Sequence, residues 1–154
     1  MDSCWICDEN ERQASGHCVG AVAELTTGWV RLHRRQRYRG ASFFVARSCV
    51  REVYDLEPSV RDVHLVELAE VAAAVDAVFA PRKMNIESLG NGVPHLHWWL
   101  TPRHDDDPRP HAPIWEDTDF LKEMWTESGF ADEHVLARDA GRLRAELETR
   151  GLVV

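Results

Sequence analysis

A chain of 154 residues, 44% hydrophobic and 29% charged, has the composition of one globular domain with a full core. Its formal net charge of −8 argues against a nonspecific grip on a nucleic-acid polymer, which needs clustered positive charge, but leaves room for a nucleotide in a locally positive pocket. No apolar stretch approaches the roughly 20 residues of a membrane span, and Met1-Asp2-Ser3-Cys4-Trp5 lacks the basic and apolar regions of a signal peptide, so a cytoplasmic protein is expected.

In that compartment the cysteines are expected to be free or metal-bound rather than paired as disulfides. Cys4-Trp5-Ile6-Cys7 opens the chain as a C-x2-C unit, and no strand pattern precedes it as a redox pair would require. Gly20 to Leu25 and Gly28 to His33 predict two short strands around a turn at Thr26-Thr27-Gly28. The basic run Arg31 to Arg39 carries five arginines in nine residues and predicts a solvated hairpin. Within it, Arg35 to Gly40 is a polar connection leading to a buried strand, Ala41 to Ala46.

Pro58-Ser59 marks a helix entry, with Ser59 as the cap and Asp62 three residues later as its reciprocal partner. The helix is expected to reach Phe79, burying Leu68, Val71, Ala72, Val75, Val78 and Phe79 at helical spacing, before Pro81 stops it. Lys83 to Leu89 predicts a strand, Gly90-Asn91-Gly92 a tight turn, and His95 to Leu100 a second strand. Pro102 to Pro113 reads as an extended, exposed loop containing Asp105 to Asp107. Phe120 to Trp125 and His134 to Leu147 predict two helices. Strands, helix, strands, helices in that order imply an α+β fold with a mainly antiparallel sheet.

In an extended strand His95, His97 and position 99 share one face, and Leu96, Trp98 and Leu100 share the other. Trp99 stands where a third histidine would complete the row. A closed zinc site takes four ligands, commonly a close pair and two distant residues. Candidates for the distant pair are Cys18, Cys49, His64 and His95. Cys49 and His95 both lie at ends of sheet elements, which favours a Cys4, Cys7, Cys49 and His95 site. A buried apolar cysteine is the plain alternative for Cys49, and His17-Cys18 remains a spare pair.

With His95 engaged, His97 is the free imidazole. It can attack phosphorus if one ring nitrogen is held by an acceptor and the other faces substrate. Gly90-Asn91-Gly92 offers backbone N–H groups to phosphate oxygens, or is simply a hairpin turn. Asn85 and Asn91 are the nearest neutral groups for a sugar hydroxyl.

The segment His95-Leu96-His97-Trp98-Trp99-Leu100-Thr101 resembles the histidine triad motif, in which three histidines alternate with hydrophobic residues. Several separated segments resemble the bacterial, zinc-containing branch of that family in the same order. They are Gln36 to Gly40 with Phe43 to Val45, Tyr54-Asp55-Leu56, Asn85 to Asn91, Asp106-Asp107-Pro108, and Pro113-Ile114-Trp115.

The resemblance spans roughly residues 4 to 118. It implies a histidine-triad-like domain over 1–118, an antiparallel sheet with a long helix, and a C-terminal helical extension of the same domain over 119–154. It implies a homodimer that hydrolyses or transfers nucleoside monophosphates from phosphoanhydrides, phosphoramidates or related bonds. His97 would be the nucleophile, Asn85, Asn91 and Gly92 would lie at the nucleotide, and one structural zinc would sit on Cys4, Cys7, Cys49 and His95.

Trp99 departs from the family's third position. Its indole donates a hydrogen bond but delivers no proton near neutral pH. The leaving-group side would then hold Trp99, with His104 or His111 as proton donor. The alternatives are a nucleotide-binding protein that has lost catalysis and a specialised nucleotidyltransferase or lyase of a biosynthetic pathway.

Overall fold

Five short segments pair into one antiparallel sheet: β1 (Ala21–Glu24), β2 (Gly28–Leu32), β3 (Ser42–Ala46), β4 (Lys83–Glu87) and β5 (His97–Arg103), in the order β1-β2-β3-β5-β4. The computed structural model describes residues 4–124, 126 and 128–154. Among these residues four α-helices accompany the sheet: α1 (Trp5–Ala14), α2 (Pro58–Phe79), α3 (Thr118–Glu123) and α4 (Glu133–Thr149). The α+β class with a long helix and C-terminal helices is what the sequence predicts.

β5 lies between β3 and β4, so both its edges are hydrogen-bonded. Directly opposed residues in an antiparallel pair share a face. Phe44 opposes Trp98 and Ser42 opposes Leu100 on one face; Val45 opposes His97, and Phe43 and Glu87 both oppose Trp99, on the other. The first face meets α2 and α4. Val30, Phe44 and Leu100 pack there with Leu68, Val71, Val75 and Phe79 of α2 and Leu136, Ala140, Leu143 and Leu147 of α4. The predicted α2 stripe is buried except at its margin, where Val78 is half-buried. Gly40 has φ +87°, and a Cβ there would lie 2.5 Å from the Phe79 ring, so both conformation and space require glycine.

Several expectations are corrected. α1 carried no hydrophobic signal because its buried residues are Ile6, Asn10 and Gln13: the spacing is helical but two of the three are polar. Their amide N–H groups donate to sheet carbonyls, Asn10 to Ala46 O at 3.3 Å and Gln13 to Val30 O at 2.9 Å. Ser59 does not cap α2. Glu57 occupies the cap position without a side-chain bond, and Pro58 starts the helix with its φ already set.

β5 begins at His97, leaving His95 in the segment before it. Gly90 and Gly92 do not adopt positive φ, and residues 88–96 form an open connection instead of a tight turn. The proline segment is not extended. Pro102 lies inside β5, and turns close residues 105–112 over Arg103. α3 starts two residues before the predicted helix, whose last residue, Trp125, lies outside the described residues.

The basic run is solvated only in part, at the exposed Arg34 and Arg39. Arg31 and Arg35 are buried and Arg37 half-buried, because each guanidinium is anchored to a different segment. Arg31 bonds Asn10 of α1. Arg35 donates to the carbonyls of Ser128 (3.1 Å) and Thr126, and with Arg34 stacks on the Phe130 ring. Arg37 makes a bidentate pair with Asp117 at 2.7 and 3.0 Å, and Arg39 approaches His104 at 3.3 Å. Five donors in a planar fork suit arginine to such fastening.

Candidate functional site

Four ligating atoms converge where α1 meets the segment that leads into β5. The thiols of Cys4, Cys7 and Cys49 and a ring nitrogen of His95 all lie within 4.8 Å of one another. Cys4 is the residue that caps α1 and Cys7 lies in its first turn, so the helix sets the C-x2-C spacing. His95 is fully buried, and its Nε2 donates to Ala46 O at 2.9 Å. That bond leaves Nδ1 as the acceptor, 3.4 Å from Cys4 Sγ and 3.6 Å from Cys7 Sγ. A tetrahedral zinc with ordinary bond lengths puts sulfur and nitrogen about 3.6 Å apart, so the donor set and spacing fit that ion. Burial and the neighbouring Cys49 and Cys4 thiols push Cys7 up to about 12, so close thiolates need a cation beside them.

His97 stands on the sheet face opposite the α2–α4 core. Its Nδ1 donates to the carbonyl of His95 at 2.6 Å, which fixes the tautomer and leaves Nε2 with a free lone pair. Ser88 Oγ holds the His97 carbonyl at 3.1 Å. Phe43 lies beside the ring at 6.3 Å between centroids. Further along the same face, Trp99 meets Phe43 edge-on at 4.6 Å and His33 at 5.3 Å. Trp99 packs against a second apolar cluster of Tyr38, Ala41, Ile114 and Phe120, with Leu121 and Met124 of the α3 segment.

Asp117 organises that cluster. It accepts from Arg37, from Tyr38 Oη at 2.9 Å and from the Phe120 N–H at 3.1 Å. Burial works against its charge, but the bonds from Arg37, Phe120 and Tyr38 prevail and hold it down at about 2. His33 donates Nδ1–H to Arg35 O at 2.8 Å, and burial pushes it below the ordinary imidazole value.

The remaining predicted residues are dispersed. Asn85 shares the His97 face, with its Oδ1 accepting from Arg103 at 3.3 Å. Asn91 and Gly92 are exposed in the open connection. His104 is buried, with Nε2 3.0 Å from Arg39 O and Nδ1 3.3 Å from Arg39 Nη2, so both ring nitrogens face that arginine. His111 is exposed in the turn segment. Cys18 lies near Glu9, apart from the metal cluster.

Three features escaped sequence reasoning. Arg103, almost fully buried, donates to Asp107, Asn85, Ala112 O and Arg109 O, and so folds the proline segment against the sheet. On the core face, Trp98 Nε1 donates to His64 Nε2 at 3.0 Å. His64 Nδ1 meets Thr27 Oγ1 at 2.8 Å, and Thr27 bonds Glu67. Glu67 also accepts the Thr26 and Thr27 N–H groups at 2.9 and 3.0 Å. The placement of His64 and Glu67 one helical turn apart on the buried stripe of α2 was the available signal. The third is Glu87, opposite Trp99, whose Oε2 is out of contact with solvent and has no hydrogen-bond partner among the described residues.

Comparison with known proteins comes to the same architecture. The family model described as HIT domain matches residues 23–106, more than half the chain. A histidine triad protein from Marinobacter aquaeolei is 25% identical, covers 90% of this chain and 94% of its own, and superposes with a TM-score of 0.69. A zinc-bound histidine triad family protein from Mycobacterium smegmatis is 18% identical over 97% of this chain and 96% of its own, with a TM-score of 0.63. A protein from Sulfolobus tokodaii described as a hypothetical histidine triad nucleotide-binding protein is 10% identical over 93% of each, with a TM-score of 0.68. No curated protein matches the chain significantly in sequence.

Proposed function

The chain belongs to the HIT domain family, and from that premise we propose that it is a nucleotide hydrolase or nucleotidyltransferase working through a covalent nucleotidyl group on His97. The observation that carries this is the Nδ1–H bond from His97 to the His95 carbonyl at 2.6 Å, which directs the Nε2 lone pair outward from a rigid strand. The substrate would be a nucleoside phosphoanhydride, a phosphoramidate or a related conjugate. Asn85, Asn91 and the backbone at Gly92 would meet the nucleotide, and Trp99 would flank the leaving group. Of the loop histidines, His104 is turned towards Arg39, and His111 is the freer candidate on that side.

Cys4, Cys7, Cys49 and His95 would hold one structural zinc per chain, tying α1 to the residue before the nucleophile strand. The ion would shape the site and take no part in the reaction. Elemental analysis should find about one zinc per chain; a metal-free, fully folded protein would refute it. Residues 119–154 are proposed as an extension of the same domain, their α4 side chains lying in the common core. A homodimer in the cytoplasm completes the proposal; among the described residues, no helix is long and apolar enough to cross a membrane.

The test is a panel of phosphoanhydride, phosphoramidate and sugar-nucleotide substrates run on wild type and His97→Ala together. Turnover that vanishes in the variant, with a phosphorus-bound His97 trapped by mass spectrometry, supports the proposal. Full turnover by the variant sinks it. Trp99 favours one second reading, a nucleotide-binding protein without catalysis. That protein would bind across the panel without turning anything over, and Trp99→His would raise activity from nothing.

A further inference from the structure

We propose that Glu87 is the proton donor to the leaving group, in the role that the missing third histidine of the motif leaves open; this rests on the reaction proposed at His97. The β4–β5 register sets Glu87 directly opposite Trp99, on the face that also carries His97 two residues earlier on β5. Opposed residues of an antiparallel pair have Cβ atoms about 5 Å apart, so the two side chains leave the sheet side by side. Trp99 can contact a departing group but cannot protonate it. A carboxylic acid can.

One oxygen of this half-buried residue is also unpaired. Glu87 Oε2 is shut off from solvent without a hydrogen-bond partner among the described residues. The charged or titratable groups on this face of the adjoining strands are Lys83 on β4 and His97 and Arg103 on β5. Arg103 is the natural counter-ion, yet its donors already serve Asp107, Asn85, Ala112 O and Arg109 O. Burial therefore favours the neutral acid and pushes Glu87 above the ordinary carboxylate value, with Arg103 only partly opposing. A rise is the direction that general-acid catalysis by a carboxyl requires.

The steps balance without any further reagent. The His97 Nε2 lone pair forms a bond to phosphorus as the bond from phosphorus to the leaving atom breaks. The electron pair departs with that atom, which takes the proton from Glu87. In the second half, water attacks phosphorus and gives its proton to the Glu87 carboxylate, while the electrons of the P–N bond return to Nε2.

The experiment compares Glu87→Gln with wild type and His97→Ala on two nucleotide substrates. One is a p-nitrophenyl ester, whose leaving group departs as a stable anion. The other is an alkylamine phosphoramidate, whose leaving group needs a proton. Glu87→Gln should lose roughly 100-fold or more in kcat on the phosphoramidate and less than about threefold on the ester. An equal loss on both, or no loss on either, while turnover still requires His97, overturns the assignment of Glu87 and leaves the nucleophile standing. Wild type turning over neither substrate, or His97→Ala turning over both, overturns the reaction at His97 and the role of Glu87 with it. Isotope-edited infrared titration of the Glu87 carboxyl gives a readout free of turnover: protonation at or below the ordinary glutamate value also overturns it.

Discussion

Trp98 and Trp99 are neighbours in sequence and opposites in use. Trp98 faces the α2–α4 core, where its indole N–H ends a bonded chain through His64 and Thr27 to Glu67. Trp99 faces the other way, held edge-on by Phe43, by the tilted His33 ring and by the α3 cluster, with no hydrogen-bond partner for its N–H among the described residues. The core indole is held at both its apolar body and its polar tip. The open-face indole is held by its body alone. The lesson is that one residue type can lock a strand on one face and shape a site on the other.

His97→Ala and Trp98→Ala should break that comparison most sharply, because they act on adjacent residues and different observables. His97→Ala should lower turnover by three orders of magnitude or more, roughly the loss of a nucleophile. Its melting temperature should move little. Trp98→Ala should cost about 3 kcal/mol of unfolding free energy, because it opens a cavity and strands the His64 acceptor. Denaturant titration measures the second; a destabilisation no greater than that of Trp99→Ala would contradict the division of labour.

Acid should separate the faces next. Burial pushes His64 down from 6.5 to about 4, so the unfolded chain takes up its proton first. Stability from this group is complete above about 6.5 and is lost as pH falls towards 4, by up to about 3 kcal/mol. Urea melts at a series of pH values read that slope, and His64→Gln should flatten it. Asp117, held at about 2 against an ordinary 3.8, acts lower. Its contribution is present above the ordinary value and disappears as pH falls through about 2, and Asp117→Asn should cost about 2 kcal/mol at neutral pH. The smallest effect is expected from Trp98→Phe, about 1 kcal/mol for the single N–H bond to His64.

How much was legible in advance follows the chemistry of each segment. The α2 stripe and the strands were readable because apolar side chains repeat with the period of the element that buries them. The Cys4, Cys7, Cys49 and His95 set was readable because those residue types share one affinity, and the structure brings their ligating atoms together. α1 was not, since its inner face is amides that pair with sheet carbonyls. Arg31, Arg35 and Arg37 looked solvated because their partners lie in α1 and some 80 to 93 residues further along the chain. Glu87 gave no signal at all: what distinguishes it is the lack of a partner, and only the fold can reveal that.

Topology draws one more consequence from the four converging ligands. Cys7 to Cys49 and Cys49 to His95 each span about forty residues. Whatever ties these side chains together converts an open chain into two closed loops, each costing the order of 3 kcal/mol in closure entropy. A metal held there would therefore act on the disordered ensemble as well as on the folded one. It would pre-join α1, the exit of β3 and the approach to β5 before any of the intervening helix has packed.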